Sequence, residues 1–246
     1  MGARPRDPIT SNARTAGTLQ CVPYGPGAWM VQFAETAGAE AFQRCRSILA
    51  TLKRHPPAGL IEVVPAFTRI LLEFEPGTRI EPASLLRFLE RHLAESTTHS
   101  QPETTPVVIP VRYDGPDLPR VAAHAGLTIE EVCRRHAAPV YHVHAIGFSP
   151  GFPYLGELDP SLHTPRLPSP RPRVPAGSVG IGGTHTGIYS IESPGGWNLI
   201  GSTALRLFNP DLATHPDSAP SAFLLKPGDF VRFEIQSIHP GATRHE

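Results

Sequence analysis

The spacing of glycine and proline after Pro139 constrains the fold more than any other feature of the sequence. Beyond this residue the apolar segments are short, and Gly or Pro bounds them. These residues interrupt helices and favour tight turns. The apolar segments span residues 140–146, 179–181, 188–191, 197–201, 205–208 and 230–235. Short strands separated by such turns are typical of a β-barrel or β-sandwich, so we predict a β-rich domain here.

The part of the chain before residue 96 has a different pattern. Alternating side chains over residues 28–34 and apolar segments at 60–64 and 70–74 predict strands, whereas helical spacing recurs over 41–52 and 85–93. The order β-α-β-β-α resembles most of a ferredoxin-like unit. Residues 96–105 have the polar composition of a linker. We therefore expect an α+β protein, with a small ferredoxin-like α/β domain at 19–95 and a barrel domain at 106–240.

Two short helices are expected after the first strand of the second domain. Asp117 is placed to cap one helix, which Gly126 would end. Thr128 and Glu131 form a capping-box pattern at the start of the other.

Composition excludes several classes of partner. Lys and Arg together number 22 of the 246 residues, as do Asp and Glu, so no net charge favours binding to nucleic acid or an anionic membrane. No apolar run approaches the roughly 18 residues of a membrane span, and the start lacks a signal-like apolar region. We expect a cytoplasmic protein. The scattered cysteines lack a C-x-x-C pair, and Cys45 and Cys133 fit apolar helix faces as core residues.

Common nucleotide-binding and nucleophile motifs do not fit. Residues 182–187 lack the Lys of a phosphate-binding loop, and His185 stands where a dinucleotide-binding motif requires Gly. Ser178 lies in AGSVG, which approaches the nucleophile pattern G-x-S-x-G, but Ala176 replaces the first Gly and β structure follows. We interpret Ser178 as a turn hydroxyl that bonds to the backbone or to a ligand.

His142 and His144 lie two residues apart on a predicted strand, so both side chains point to one face. Such a pair occurs in some metal sites. A third ligand would have to come from His136, His163 or His185, and the spacing does not choose among them. We therefore predict no metal site.

Three loops rich in Gly, Pro and aromatic residues carry the strongest functional signal, at residues 147–156, 174–180 and 193–197. Gly lets the backbone approach a ligand, Pro restricts the loop shape, and aromatic rings supply an apolar wall. These segments favour a small-molecule pocket. The alternative is that they are only tight corners of the barrel.

The same segments resemble a known family. The strings HAIGFSPGFPYLGELDP, PRVPAGSVGIGGTHTGIYSIESPGGWNLIGST and LLKPGDFVRF are similar to those of the family of 5-oxoprolinase B subunits, also described as allophanate hydrolase subunit 1, a carboxyltransferase-type domain and a sporulation-kinase inhibitor family. GLIEVVPAFTRILLEFEP and IPVRYDGPDLPRVA extend the resemblance over nearly the whole chain. The resemblance implies that the second domain is a cyclophilin-like β-barrel.

The resemblance also implies an enzyme that works only in a complex. Together with subunits A and C, such a protein opens 5-oxo-L-proline to L-glutamate, using ATP and water. ATP would bind with the partner subunits, and the catalytic residues stay unassigned. Two alternatives remain open: an inhibitor of a sensor histidine kinase, and a component of a carboxyl-transfer system for urea-like amides or allophanate.

The residues implied to bind the lactam substrate or its phosphate lie in the Gly/Pro-rich region. They are Gly151, Phe152, Tyr154, Arg166, Arg173, Gly177, Ser178, Thr186, Tyr189, Gly195, Gly196 and Trp197. The sequence departs from the family pattern at two places. Ser202 stands where Arg is common and His185 where Gln is common, and the first change leaves an altered substrate open.

Overall fold

The computed structural model describes residues 19–96, 105–215 and 217–239. The N-terminal elements are β1 (Gln20–Pro23), β2 (Ala28–Gln32), α1 (Ala39–Arg54), β3 (Leu60–Ala66), β4 (Arg69–Phe74) and α2 (Pro82–Ser96). The later strands are β5 (Val107–Tyr113), β6 (Val140–Ile146), β7 (Pro153–Gly156), β8 (Arg171–Val174), β9 (Ser178–Gly182), β10 (His185–Ile188), β11 (Ser193–Gly195), β12 (Asn198–Ser202) and β13 (Phe230–Ile238). Helices α3 (Leu118–Ala125) and α4 (Ile129–Ala137) follow β5, and the short α5 (Pro210–Ala213) precedes β13.

The N-terminal sheet is antiparallel, with strand order β1-β2-β4-β3. The predicted strands and helices are present, and β2, β3 and β4 adopt the pairing of a ferredoxin-like sheet. In a ferredoxin-like unit a further strand follows the second helix and pairs with the first strand. Here that place beside β2 is taken by β1, which precedes β2 in the chain and forms a hairpin with it. Sequence reasoning missed β1 because its four residues show no extended alternation.

Helices α1 and α2 and the sheet share a hydrophobic core that includes Phe33, Ile48, Leu72 and Leu89. Cys45 belongs to this core, which agrees with the role expected for it. Burial raises the pKa of its thiol to about 12, so the thiol stays protonated at neutral pH.

The second part of the described chain is a closed barrel with strand order β10-β7-β6-β13-β5-β12-β9, which confirms the predicted β-barrel. β5 and β13 run parallel, and the other barrel neighbours pair antiparallel. The barrel has its own core, which includes Val111, Tyr141, Ile181 and Phe233. Cys133 of α4 packs into it, as predicted.

The helix ends agree with the sequence except at Asp117. Gly126 ends α3 in the left-handed conformation, with φ of 66°, and the Thr128 hydroxyl accepts a hydrogen bond from the Glu131 N–H at 3.2 Å. Asp117 precedes α3, but its carboxylate makes no capping bond. It is bonded instead to distant groups near Trp197, which a local pattern cannot reveal.

The predicted linker lies mostly at residues 97–104, outside the described residues. On either side, the sheet and the barrel have separate cores, and they meet where Phe42 of α1 stacks on His142 of β6 with ring centroids 4.1 Å apart. The Phe67 N–H also donates to the carbonyl of His144 at 3.3 Å. Among the described helices, none has the length and apolar character needed to cross a bilayer.

Candidate functional site

A cavity of about 270 Å³ lies beside the barrel, between the first and third of the Gly/Pro-rich loops. The segment before β8 closes another side of it. Its lining residues are Phe148, Phe152, Tyr154, Arg166, Pro170, Tyr189, Pro194, Gly195, Gly196 and Trp197. Seven of the twelve residues implied by the family resemblance belong to this lining: Phe152, Tyr154, Arg166, Tyr189, Gly195, Gly196 and Trp197.

Aromatic rings form the wall of the cavity. Phe152 is at the centre, with its ring centroid 5.3 Å from Trp197, 5.3 Å from Tyr189 and 5.1 Å from Tyr154. The interplanar angles lie between 65° and 87°, which is the edge-to-face arrangement that aromatic pairs favour. This cluster is distinct from the barrel core, so the rings form a separate, tightly packed wall.

Glycines allow these rings to lie directly on the backbone. A Cβ added to Gly187 would stand 3.0 Å from ring atoms of both Phe152 and Trp197, and one added to Gly182 would stand 2.5 to 2.6 Å from the Trp197 indole. Real side chains do not tolerate such contacts without displacement. Small residues on β9 and β10 therefore determine where the Trp197 ring can sit.

Arg166 supplies a positive charge at the cavity. Its guanidinium carbon lies 5.7 Å from the centroid of the Trp197 ring, within the range of a cation–π contact. Arg166 is exposed, so its donors can reach a ligand. Guanidinium groups bind carboxylates and phosphates with paired hydrogen bonds. The site thus combines an apolar wall with a group that is chemically able to bind an anion.

An ion pair between Arg171 and Asp117 holds the loop that carries Trp197. Arg171 donates two hydrogen bonds to the Asp117 carboxylate, at 2.7 and 2.8 Å, and another to the Trp197 carbonyl at 3.3 Å. Asp117 also accepts the Leu199 N–H at 2.6 Å. Sequence reasoning missed this ion pair because its two residues are 54 positions apart.

Asn198 holds the neighbouring segment. Its side-chain amide donates to the carbonyls of Pro165 and Ile181, both at 3.0 Å, and its oxygen accepts from Arg120 at 2.8 Å. Asn198 is fully buried, so these bonds satisfy a group that would otherwise be costly to bury. Because Pro165 precedes Arg166, the network also fixes the start of the segment that carries the cation.

The Tyr189 phenol is a hydrogen-bonding group within the wall. Burial raises its pKa, whereas the backbone N–H of Trp197 and the charges of Arg166 and Arg171 act in the opposite direction. The net direction is upward, so the phenol stays protonated at neutral pH.

Five implied residues do not line the cavity. Gly151 forms a turn with φ of 79°, and Gly177, with φ of 82°, donates its N–H to the Tyr189 carbonyl at 2.7 Å. Ser178 lies in β9, paired with Ser202 of β12. These backbone roles support the loops behind the aromatic wall.

The remaining two have other partners. Arg173 forms an exposed ion pair with Glu192 at 2.8 Å. Thr186 is fully buried and bonded to His136 at 2.8 Å and to the Gly180 carbonyl at 3.0 Å. Thr186 is therefore part of the barrel interior.

Three lining residues were not singled out beforehand: Phe148, Pro170 and Pro194. Phe148 and Pro194 lie within loops that the sequence did identify, so their aromatic or Pro character was an available signal. Ser202 lies outside the lining, and its hydroxyl donates to Asp114 at 3.0 Å. The departure from the family pattern at this position is thus not a change in the wall of the cavity.

Known proteins resemble this chain in both sequence and structure. Residues 19–217 match the family model described as carboxyltransferase domain, subdomain C and D. The B subunit of the 5-oxoprolinase of Escherichia coli O157:H7 is 44% identical over 181 residues, covering 72% of this chain and 79% of the relative. Its counterpart in Bacillus subtilis (strain 168), also a 5-oxoprolinase B subunit, is 38% identical over 221 residues, covering 85% and 89%.

One solved structure is also similar to this chain in sequence and fold. The crystal structure of TTHA0988 in space group P212121 matches with a TM-score of 0.69 and 42% identity. The match covers 89% of this chain but 41% of that one, so this chain spans about two fifths of TTHA0988. From the family model and these relatives, we conclude that the chain belongs to the family of 5-oxoprolinase B subunits, which are carboxyltransferase-domain proteins.

Proposed function

We propose that this chain is the component of an ATP-dependent 5-oxoprolinase that holds 5-oxo-L-proline, or its activated form, in the aromatic cavity. The observation that carries the proposal is the position of the Arg166 guanidinium over the Trp197 ring, at the edge of a small apolar cavity. The substrate has a compact ring that suits aromatic walls. It also has a carboxylate that suits the guanidinium.

The chemistry needs an activated carbonyl. Resonance stabilises a lactam, so transfer of the γ-phosphoryl group of ATP to the lactam oxygen, releasing ADP, would make its carbon reactive toward water. One water adds and the C–N bond breaks, which gives γ-glutamyl phosphate, and a second water hydrolyses this acyl phosphate to L-glutamate and phosphate. A guanidinium at the site would stabilise the phosphorylated oxygen as well as the carboxylate.

Partner subunits would complete the reaction. The cavity is lined by rings, prolines, glycines and one guanidinium, which are groups that bind and orient a ligand. We assign ATP binding and proton transfer to subunits A and C. Phe148, whose surface is 62% exposed at the cavity, gives a partner an apolar contact beside the substrate.

The test is reconstitution of this chain with subunits A and C, measuring 5-oxoproline-dependent ATP hydrolysis and glutamate formation. The chain alone should show no turnover, and the complex should be active. Arg166→Gln should lower kcat/KM by roughly 10- to 100-fold, because a charge-assisted contact to the substrate is lost.

Arg173→Gln is the matched control, since Arg173 pairs with Glu192 outside the cavity lining. It should retain kcat/KM within about twofold, because an exposed ion pair contributes little. Equal losses in the two variants would contradict the assignment of the cavity. Turnover by the isolated chain would contradict the division of labour between subunits.

Trp197→Ala should affect both folding and activity. The residue is only 5% exposed, yet its ring lines the cavity. Removing it should cost about 3 to 5 kcal/mol of unfolding free energy, as for other buried aromatic residues. Urea denaturation of the isolated chain and turnover of the complex would measure the two effects. Unchanged stability and activity would place Trp197 outside the site.

A further inference from the structure

A second group of side chains lies where the N-terminal domain meets the barrel. His142 and His144 of β6 and Glu157, which follows β7, each offer a ligand atom, and these atoms lie within 4.8 Å of one another. The Nδ1 atom of His142 is 3.6 Å from the Glu157 carboxylate. We call these three residues the histidine cluster. The sequence pointed to the two histidines and not to Glu157.

Two ring nitrogens of this cluster have no hydrogen-bond partner among the described residues. They are the Nδ1 atoms of His142 and His144, and both are buried. His144 as a whole is only 4% exposed. A buried polar atom without a partner costs free energy, and native structures usually satisfy such atoms. The two nitrogens are therefore available to bind a group that the described residues do not supply.

Both imidazoles are in the form that binds a metal. Burial lowers the pKa of His144 to about 4, with smaller contributions from His142 and His185. Burial also lowers the pKa of His142, an effect that Glu157 opposes and Arg46 reinforces. Neutral imidazole is the ligand form of histidine, so little proton release is needed on binding.

We propose that His142, His144 and Glu157 bind a divalent transition-metal ion, with zinc as the best-fitting candidate. Two imidazoles and one carboxylate with a remaining open position form a known zinc ligand set. Tetrahedral ligands at about 2.0 to 2.2 Å from zinc lie roughly 3.3 Å from each other. The observed 3.6 Å between His142 and Glu157 is close to that separation. Small rotations of the side chains would complete the site.

The surrounding residues hold the rings in place. Phe42 is stacked on His142 with an interplanar angle of 6°, and Phe67 is stacked near His144 at 5.7 Å. Gly156 lets the His144 ring lie against the backbone, because a Cβ there would collide with the imidazole. The Glu157 side chain is 37% exposed, so a bound ion would have a solvent side on which water could occupy the fourth position.

The histidines that the sequence offered as a third ligand have other partners. His136 is bonded to Tyr113 and Thr186 within the barrel. The Nε2 atom of His163 is 3.2 Å from the Leu158 carbonyl, and the Nδ1 atom of His185 is 2.9 Å from the Thr184 hydroxyl. Glu157 is thus the third member that the fold supplies.

The proposal can be tested on the full chain without an affinity tag, after dialysis against a chelator. Calorimetric titration with zinc chloride should show one ion bound per chain, and thermal unfolding should shift to higher temperature with zinc. Cobalt(II) in place of zinc should give the visible absorption bands of a low-coordinate site. Glu157→Gln and His144→Gln should weaken zinc binding by more than about 100-fold, beyond the effect of losing an outer-shell partner.

His124→Gln is the control, because it removes an exposed imidazole on α3 by the same substitution. It should leave zinc affinity and stoichiometry unchanged. Absence of zinc and cobalt binding by the wild-type chain would overturn the proposal, as would equal affinity in wild type and Glu157→Gln. Because Glu157 is partly exposed, its variant should fold even if His144→Gln does not, and circular dichroism would verify this.

Discussion

The barrel interior and the histidine cluster both bury an imidazole, but they satisfy it differently. The Nδ1 atom of His136 is 2.8 Å from the Tyr113 hydroxyl, and its Nε2 atom is 2.8 Å from the Thr186 hydroxyl. His144 has comparable burial, yet its Nδ1 atom has no partner in the described part of the chain. The difference teaches that burial alone does not mark a site. The completed hydrogen-bond network of His136 indicates a structural role, whereas the unpaired nitrogen of His144 is consistent with the proposed metal site.

Replacing His136 and His144 by Ala, each in turn, should give the largest difference in unfolding free energy between the two regions. His136→Ala should cost roughly 3 to 5 kcal/mol of unfolding free energy, because it leaves a cavity and removes a hydrogen-bond partner from the Tyr113 and Thr186 hydroxyls. His144→Ala, measured without metal, should cost about 1 to 2 kcal/mol, since removal of an unsatisfied nitrogen offsets part of the packing loss. Urea denaturation followed by circular dichroism measures both. Equal losses of unfolding free energy in the two variants would contradict the difference drawn between His136 and His144.

Lowering the pH should reduce the stability of the fold through protonation of His136. Burial lowers its pKa to about 3, below its ordinary value of about 6.5, so the unfolded chain binds the proton more tightly. This contribution to stability is complete above about pH 6.5 and is lost as the pH falls toward 3.

A comparison of wild type with His136→Gln should isolate that effect. Between pH 6.5 and 5, wild type should lose roughly 2 kcal/mol more unfolding free energy than the variant. Urea denaturation at a series of pH values gives the two slopes. The lowered pKa of His144 contributes equally to the pH dependence of both proteins, so it does not affect the difference between the two slopes. Identical slopes would mean that His136 is accessible to protons in the folded state.

The smallest effects should come from the partners of each imidazole. Thr186→Val should cost about 1 to 2 kcal/mol, because it leaves the His136 Nε2 atom unmatched in the barrel. Glu157→Gln without metal should cost no more than about 0.5 kcal/mol, since its 3.6 Å contact is partly exposed. Thermal unfolding in chelator measures both. A larger loss for Glu157→Gln would make its contact with His142 structural.

Local sequence patterns determined most of the secondary structure of this protein and the location of its loops. The helical spacing in α1, the alternation in β2 and the glycine that ends α3 each depend on neighbouring residues, so they can be recognised in the sequence alone. The Gly/Pro-rich loops revealed the β-barrel and the region of the cavity. Trp197 belongs to one of these loops, and resemblance to a family added Arg166. Both line the cavity, although the resemblance also offered Arg173 and Thr186, which do not.

Only the tertiary structure decided which distant side chains meet. Asp117 looked like a helix cap, but the fold places it against Arg171, 54 residues away, where it supports the Trp197 loop. Glu157 likewise comes to lie beside the two histidines through the pairing of β6 with β7. Contacts of this kind depend on strand register and loop packing. No local spacing encodes them, because the residues become neighbours only when the barrel closes.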